Sequence, residues 1–230
     1  FTPMTDARTR RWVYEYHRAN DGQNRPRLQG IGISHQPSPW MGDRNQFVVM
    51  PLRGQGPDAS PQARARAFDH ARETARPDLY AVELDGGIGV RLAPTDHGSI
   101  QEYTFPADGQ PAHLLLEGVD EHARIDAAGA VLDGSLHAWV DSGLAEGYAR
   151  ADGATRMYIS AQLDPAPATV KPADGASPGA SLLTFAPGTT RVTLRLVTSF
   201  IGRDQARRTY AQEVEGRSLE QVRAAAHAAW

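Results

Sequence analysis

The chain contains no cysteine, which excludes disulfides and thiolate chemistry and leaves the redox compartment undecided. Among 24 basic residues only Lys171 is a lysine, a shortage that fits a bias toward GC-rich codons better than any partner. The basic residues are scattered rather than striped, and against 27 acidic residues they leave a net charge of -3 and a pI of about 6.3. That balance excludes the electrostatic footprint of a nucleic-acid binder. No apolar run approaches the roughly 18 residues that a membrane span requires. The chain opens at Phe1-Thr2-Pro3, with neither an initiator methionine nor a signal peptide, and is expected to be a piece of something longer.

What is present reads mainly as strands. The 230 residues suffice for one large β domain or two small ones. Arg11 to His17 alternates aromatics with other residues, the period-two pattern of a strand. Leu28 to Ser34 and Phe47 to Met50 follow, then Leu79 to Leu84 and Ile88 to Leu92 around an Asp85-Gly86-Gly87 turn, a hairpin. Further strands are expected at Ser99 to Phe105, His113 to Glu117, Val131 to Val140, Arg156 to Leu163, Ser181 to Phe185 and Arg191 to Phe200. Many short strands with turn residues between them indicate an antiparallel β-sandwich rather than a βαβ sheet.

Three stretches depart from that pattern. Ser60-Pro61-Gln62 followed by Ala63 to Ala75 carries a helix-start signal and good helix formers, yet its apolar content is mostly alanine, so it reads as a weak helix or an ordered surface loop. Asp164 to Gly179 holds four prolines with Ala, Gly and Ser and reads as a long mobile loop within the domain. Arg203 to Glu213 is helical in pattern, Gly216 breaks it, and Ser218 with Gln221 forms a capping box for a second helix. That helix places Leu219, Val222, Ala226 and Ala229 or Trp230 on one stripe. The expected architecture is a β-sandwich over residues 1–201, its own start truncated, and a helical linker over 202–230.

The segment most suggestive of function is Gly30 to Gln46. Two prolines fix φ on either side of Ser38 and push the preceding residues toward extended geometry, so Ser34 to Trp40 is a stiff loop. It presents His35, Gln36, Trp40 and Asp43: an imidazole, an amide, the largest aromatic and a carboxylate. Such a set suits a ligand with hydroxyls and an apolar face, as a sugar has. Each residue also has a plain structural role open to it. Trp40 would plug the end of the sandwich, His35 and Gln36 would bond loop carbonyls, and Asp43 would clamp the loop at Arg44. Elsewhere, Asp96-His97 reads as a turn or sheet edge rather than a dyad, since adjacent strand residues point to opposite faces. Glu117 and Asp120 read as solvated charges. His113, His122 and His137 lack metal-ligand spacing, so no metal and no catalytic residue is assigned to this chain.

The motif His35-Gln36-Pro37-Ser38-Pro39-Trp40-Met41-Gly42-Asp43, with Tyr14-Glu15-Tyr16-His17 upstream and Gly30-Ile31-Gly32 before it, resembles the N-terminal domain of glycoside hydrolase family 92, the calcium-dependent exo-acting α-mannosidases. Ala75-Arg76-Pro77, Tyr80, Leu84-Asp85, Pro94-Thr95-Asp96-His97, Thr198-Ser199-Phe200-Ile201, Asp204-Gln205-Ala206 and the closing Val222 to Trp230 are similar in order and spacing. Arg44-Asn45 departs from the family, where an aromatic and a glycine are common.

The resemblance implies a supersandwich-like domain joined through linker helices to an (α/α)₆ barrel that carries the catalytic acid, the base and most calcium ligands, none of which is in this sequence. It implies inverting hydrolysis of terminal mannose, of the α-1,2 type, on a mannose-containing glycan, in a secreted or periplasmic protein. It implies that Trp40 lines the leaving-group subsite and that the C-terminal catalytic domain is the partner. Alternatives from other classes are a free-standing carbohydrate-binding module and a structural interaction domain without sugar contact.

Overall fold

The computed structural model describes residues 2–4, 26–33, 47–118, 124–125, 135–141, 156–176 and 180–230. The expected strand at Arg11 to His17 and the expected stiff loop from Ser34 to Trp40, with the residues up to 46, lie outside them. In chain order the strands are β1 (Thr2–Met4), β2 (Arg27–Leu28), β3 (Gly30–Ile33) and β4 (Phe47–Arg53). After the one-turn helix α1 (Pro61–Arg64) come β5 (Arg66–Arg76), β6 (Leu79–Leu84), β7 (Ile88–Pro94), β8 (Gly98–Thr104) and β9 (Ala112–Gly118). Then follow β10 (Arg124–Ile125), β11 (Ser135–Asp141), β12 (Arg156–Asp164), β13 (Thr169–Pro172), β14 (Ser181–Thr184) and β15 (Arg191–Ser199). The chain closes with helices α2 (Arg203–Glu213) and α3 (Leu219–Ala229).

The strands form two antiparallel sheets, as the alternating pattern predicts. Among the described residues one has six strands in the order β1-β3-β4-β9-β14-β13, the other nine in the order β10-β11-β12-β15-β8-β7-β6-β5-β2. They share a core: Ile31, Val49, Leu114 and Leu183 of the first sheet cluster with Val82, Val90, Tyr103 and Leu194 of the second. The β6–β7 hairpin turns on Gly86 and Gly87, both at positive φ (91° and 75°), a conformation that glycine adopts without strain.

Two expectations are corrected. The helix start at Ser60-Pro61 is real but yields only α1, and residues 66–76 are the long strand β5. Helix propensity loses here to tertiary pairing. Phe68 is fully buried in the shared core, and Glu73 to Arg76 run in register with Val82 to Leu79. Between those anchors Asp69 to Arg72 face Glu83 alone, a pronounced bulge. The proline-rich stretch 164–179 is likewise not simply a loop, because it contains β13, which pairs with β14 from Thr169↔Thr184 to Pro172↔Ser181.

The helices meet the nine-stranded sheet on its outer face. Val214, Leu219 and Val222 form a second cluster with Leu79, Ala93, Ile100 and Val197. The capping box forms in full, with the Gln221 N–H donating to Ser218 Oγ at 3.2 Å and the Ser218 N–H to Gln221 Oε1 at 2.9 Å. Only the first half of the expected stripe is covered, since Leu219 and Val222 are buried while Ala229 and Trp230 are exposed.

Candidate functional site

His35, Gln36, Trp40 and Asp43 lie outside the described residues, but both roots of their segment are within them. β3 and β4 are antiparallel neighbours with Ile33 opposite Phe47, so the segment leaves the six-stranded sheet and rejoins it side by side. Gly30 lets those strands close up, for a β-carbon there would stand 2.9 Å from Val48 Cβ.

Strand directions fix which end of the domain this is. β8 runs from Gly98 to Thr104, and residues 105–111 lead into β9, which returns from Ala112 to Gly118. Gly98 and Gly118 therefore mark one end. Phe47 pairs with Gly118 in the first sheet, while Val197 pairs with Gly98 and Pro94 with Ser99 in the second. The same end thus gathers the roots of 34–46, the turns at 77–78 and 95–97, the end of β15 and the helical hairpin packed beside it.

The polar groups at this end are clasped together. Glu213, the last residue of α2, accepts from the His97 N–H at 3.1 Å and meets His97 Nδ1 at 2.6 Å, so one carboxylate braces the β7–β8 turn. Asp96 is exposed, and the Asp96-His97 pair is a turn, as its position predicts. Asp78, buried, receives Arg223 Nε at 3.2 Å, with His227 Nδ1 at 3.7 Å. Burial pushes the Asp78 carboxyl up, but the hydrogen bond and charge of Arg223, a backbone hydrogen bond and the His227 charge outweigh it and hold the group below its ordinary value. Beside the clasp lies a cavity of about 420 Å³ lined by Pro94, Thr95, Asp96, Glu213, Arg217 and Trp230 among others. Its volume falls in the small-ligand range.

Two polar clusters escaped the sequence. Glu117, expected to be solvated, is 3 % exposed and ion-paired with the equally buried Arg64; its expected neighbour Asp120 lies outside the described residues. The correction has a simple cause, because Glu117 sits inside β9 opposite Val48 rather than at a frayed end. The second cluster joins His70, Glu73 and Tyr80. His70 Nδ1 lies 2.7 Å from Glu73 Oε2, and Tyr80 Oη donates to Glu73 Oε1 at 2.9 Å. A helical reading of 63–75 hid it; a strand with a bulge brings the three together.

The sequence over residues 1–211 matches the family model described as the glycosyl hydrolase family 92 N-terminal domain. The chain belongs to that family. A curated relative, described as an uncharacterized secreted glycosidase from Arthroderma benhamiae, is 25% identical over 86% of this chain and 31% of its own length. Two solved structures from Bacteroides thetaiotaomicron share the fold. A family 92 inverting mannosidase superposes with a TM-score of 0.78 at 22% identity, covering 99% of this chain and 30% of that one. A family 92 α-mannosidase in complex with mannoimidazole gives 0.72 at 18% identity, covering 99% and 32%. This family 92 domain therefore spans about a third of the length of the relatives it matches.

Within the domain, His113 is structural. Its Nδ1 meets Thr184 Oγ1 at 2.9 Å and its Nε2 meets the Gly54 carbonyl at 2.8 Å, and burial lowers its pKa against the opposing effect of that carbonyl. His122, and the side chain of His137, lie outside what the structure describes. Among the described residues no three His, Asp or Glu side chains converge as a metal site. They do not compose the calcium site that the resemblance implies for the family. No helix among the described residues is long and apolar enough to cross a membrane.

Proposed function

We propose that this domain is the substrate-holding part of a secreted or periplasmic α-mannosidase, inverting and of the α-1,2 type. Its segment 34–46 contributes to an active site whose acid, base and calcium ligands lie on a following (α/α)₆ barrel domain. The family match over residues 1–211 carries this reading. It gains support from strand direction: both roots of 34–46 leave the six-stranded sheet at the end of the domain where β15 of the other sheet ends and leads into the helical hairpin.

Inverting hydrolysis needs an acid and a base about 6.5–9.5 Å apart with water between them. The wall that holds the sugar during that step need not belong to the same domain. In this proposal Trp40 stacks on the leaving-group sugar, and His35, Gln36 and Asp43 bond hydroxyls or hold the segment in shape. The test is Trp40→Ala in the full-length protein. Removing a stacking surface of about 1.5–3 kcal/mol lowers kcat/KM for α-1,2-mannobiose by about ten- to hundredfold. Unchanged turnover sinks the role of Trp40, and mannobiose binding by the isolated 230 residues in calorimetry would favour a carbohydrate-binding module instead.

A further inference from the structure

We infer that the buried Arg64–Glu117 pair is a positioning device for the 34–46 segment; this rests on the proposed role of that segment in holding the leaving-group sugar. The guanidinium ties three separate pieces of chain. Arg64 Nε donates to the Gln29 carbonyl at 2.9 Å, immediately before β3, and Nη1 donates to the Ala59 carbonyl at 3.1 Å and to the Glu117 carboxylate of β9. β4 lies between β3 and β9. Glu117 faces Val48, one rung from the Phe47–Gly118 pair, and Phe47 in turn faces Ile33. The pair therefore spans the two strands that flank β4, and its carboxylate lies one rung below the roots of 34–46.

Stability alone does not account for it. Taking two charges out of water is costly, and well-packed apolar replacements of a buried pair are often neutral or stabilising. Along the same rungs Val48, Met50 and Leu115 are buried and apolar, so the charges stand beside an apolar run. What an ion pair supplies and apolar contacts do not is direction. The planar guanidinium donates along fixed axes, so it sets the offset of β3 against β9 and hence the place and angle at which the roots leave the sheet. Arg64 and Glu117 are thus positioning residues, acting through Ile33 and Phe47 on side chains carried beyond them.

The experiment uses the full-length protein with Glu117→Gln and, separately, the double variant Arg64→Met/Glu117→Leu. Two substrates separate position from structure: mannobiose, whose leaving group is a whole sugar, and α-mannosyl fluoride, whose leaving group is one atom. In both variants kcat/KM for mannobiose is expected to fall about tenfold, as misplacement of a holding group predicts. Turnover of the fluoride stays within about twofold, the scatter of uncoupled sites. The melting temperature of the double variant falls by no more than a few degrees, the cost of leaving the Gln29 and Ala59 carbonyls without Arg64. Equal losses on both substrates, or no loss on mannobiose, overturn the inference. Should the double variant fail to fold, Glu117→Gln decides alone, because it keeps the side-chain volume and removes the carboxylate charge that holds the guanidinium in place. Trp40→Ala run in parallel separates the two claims. If Trp40→Ala slows mannobiose and the pair variants do not, only the positioning role fails; if Trp40→Ala has no effect, the reading of the segment fails first.

Discussion

A β-carbon on Gly30 would meet Val48 Cβ at 2.9 Å and Val48 Cγ2 at 3.3 Å, closer than packed side chains approach. Gly30→Ala must push β3 off β4 or turn Val48 from its rotamer, an overpacking cost of about 1–3 kcal/mol. Equilibrium denaturation is expected to show that loss, and Gly30→Ala/Val48→Ala to recover part of it as a coupling of about 1 kcal/mol between touching residues. Strict additivity of the two substitutions would show that the contact is not the cause. A glycine inside a strand is a sequence signal of close backbone approach, although it does not say what approaches. The charges were harder: nothing in the letters around Glu117 distinguishes a carboxylate at a strand end from one paired with an arginine 53 positions earlier. Pairing at that distance is decided by where the fold carries Arg64, against the Gln29 carbonyl and β9, a tertiary fact with no local pattern.

At the scale of elements, strands with a clean period of two were readable and β5 was not. Its sequence offers alanines and arginines that favour a helix, and only burial of Phe68 and pairing with β6 reverse the preference. The α2–α3 hairpin was readable from its breaker and capping box, and its attachment to the sheet is electrostatic as well as apolar. Asp78 holds Arg223 and His227, Glu220 holds Arg91, and Glu213 holds His97. The hydrogen bond from Arg91, with the Arg91 and Arg223 charges, keeps the Glu220 carboxyl below its ordinary value despite some burial. Asp78 is also depressed. A carboxyl depressed in the folded state stabilises fully above its unfolded pKa, about 4, and that contribution is lost as pH falls through the folded value. The protection factors of α3 amides, the intrinsic exchange rate at each pH divided by the observed one, are therefore expected to fall as pH drops below about 4. Asp78→Asn should flatten most of that dependence and Glu220→Gln little of it, because the latter pair is exposed and screened. An α3 exchange profile with the same acid dependence in Asp78→Asn and the parent would refute the electrostatic attachment.

For the whole molecule, the two-sheet architecture was legible because alternation and turn chemistry agree over most of the chain. The candidate site was legible as a motif and not as geometry, since its side chains lie beyond Ile33 and before Phe47. One feature of the surface bears on what the proposed barrel would touch. At the end of the domain that carries the roots of 34–46, Ile201 is 83 % exposed and Phe200 42 % exposed, while Trp230 is 87 % exposed on the neighbouring helix. Large apolar residues left open in this way mark surfaces that another body covers, and the matched relatives are about three times as long as this chain. If the following domain packs there, Ile201→Asp places a charge against an apolar contact in the full-length protein and in water in the 230 residues alone. Melting of the isolated 230 residues is then expected to be unchanged by the substitution. The full-length variant should instead lose about 2–4 kcal/mol of interdomain coupling and melt in two separated steps where the parent melts in one. The cause is local to the contact, so activity should fall with the coupling and recover in Ile201→Leu. A full-length Ile201→Asp protein with the parent's single transition and turnover would mean that this surface faces water in the intact molecule, and the arrangement of the two domains would have to be sought elsewhere on the sandwich.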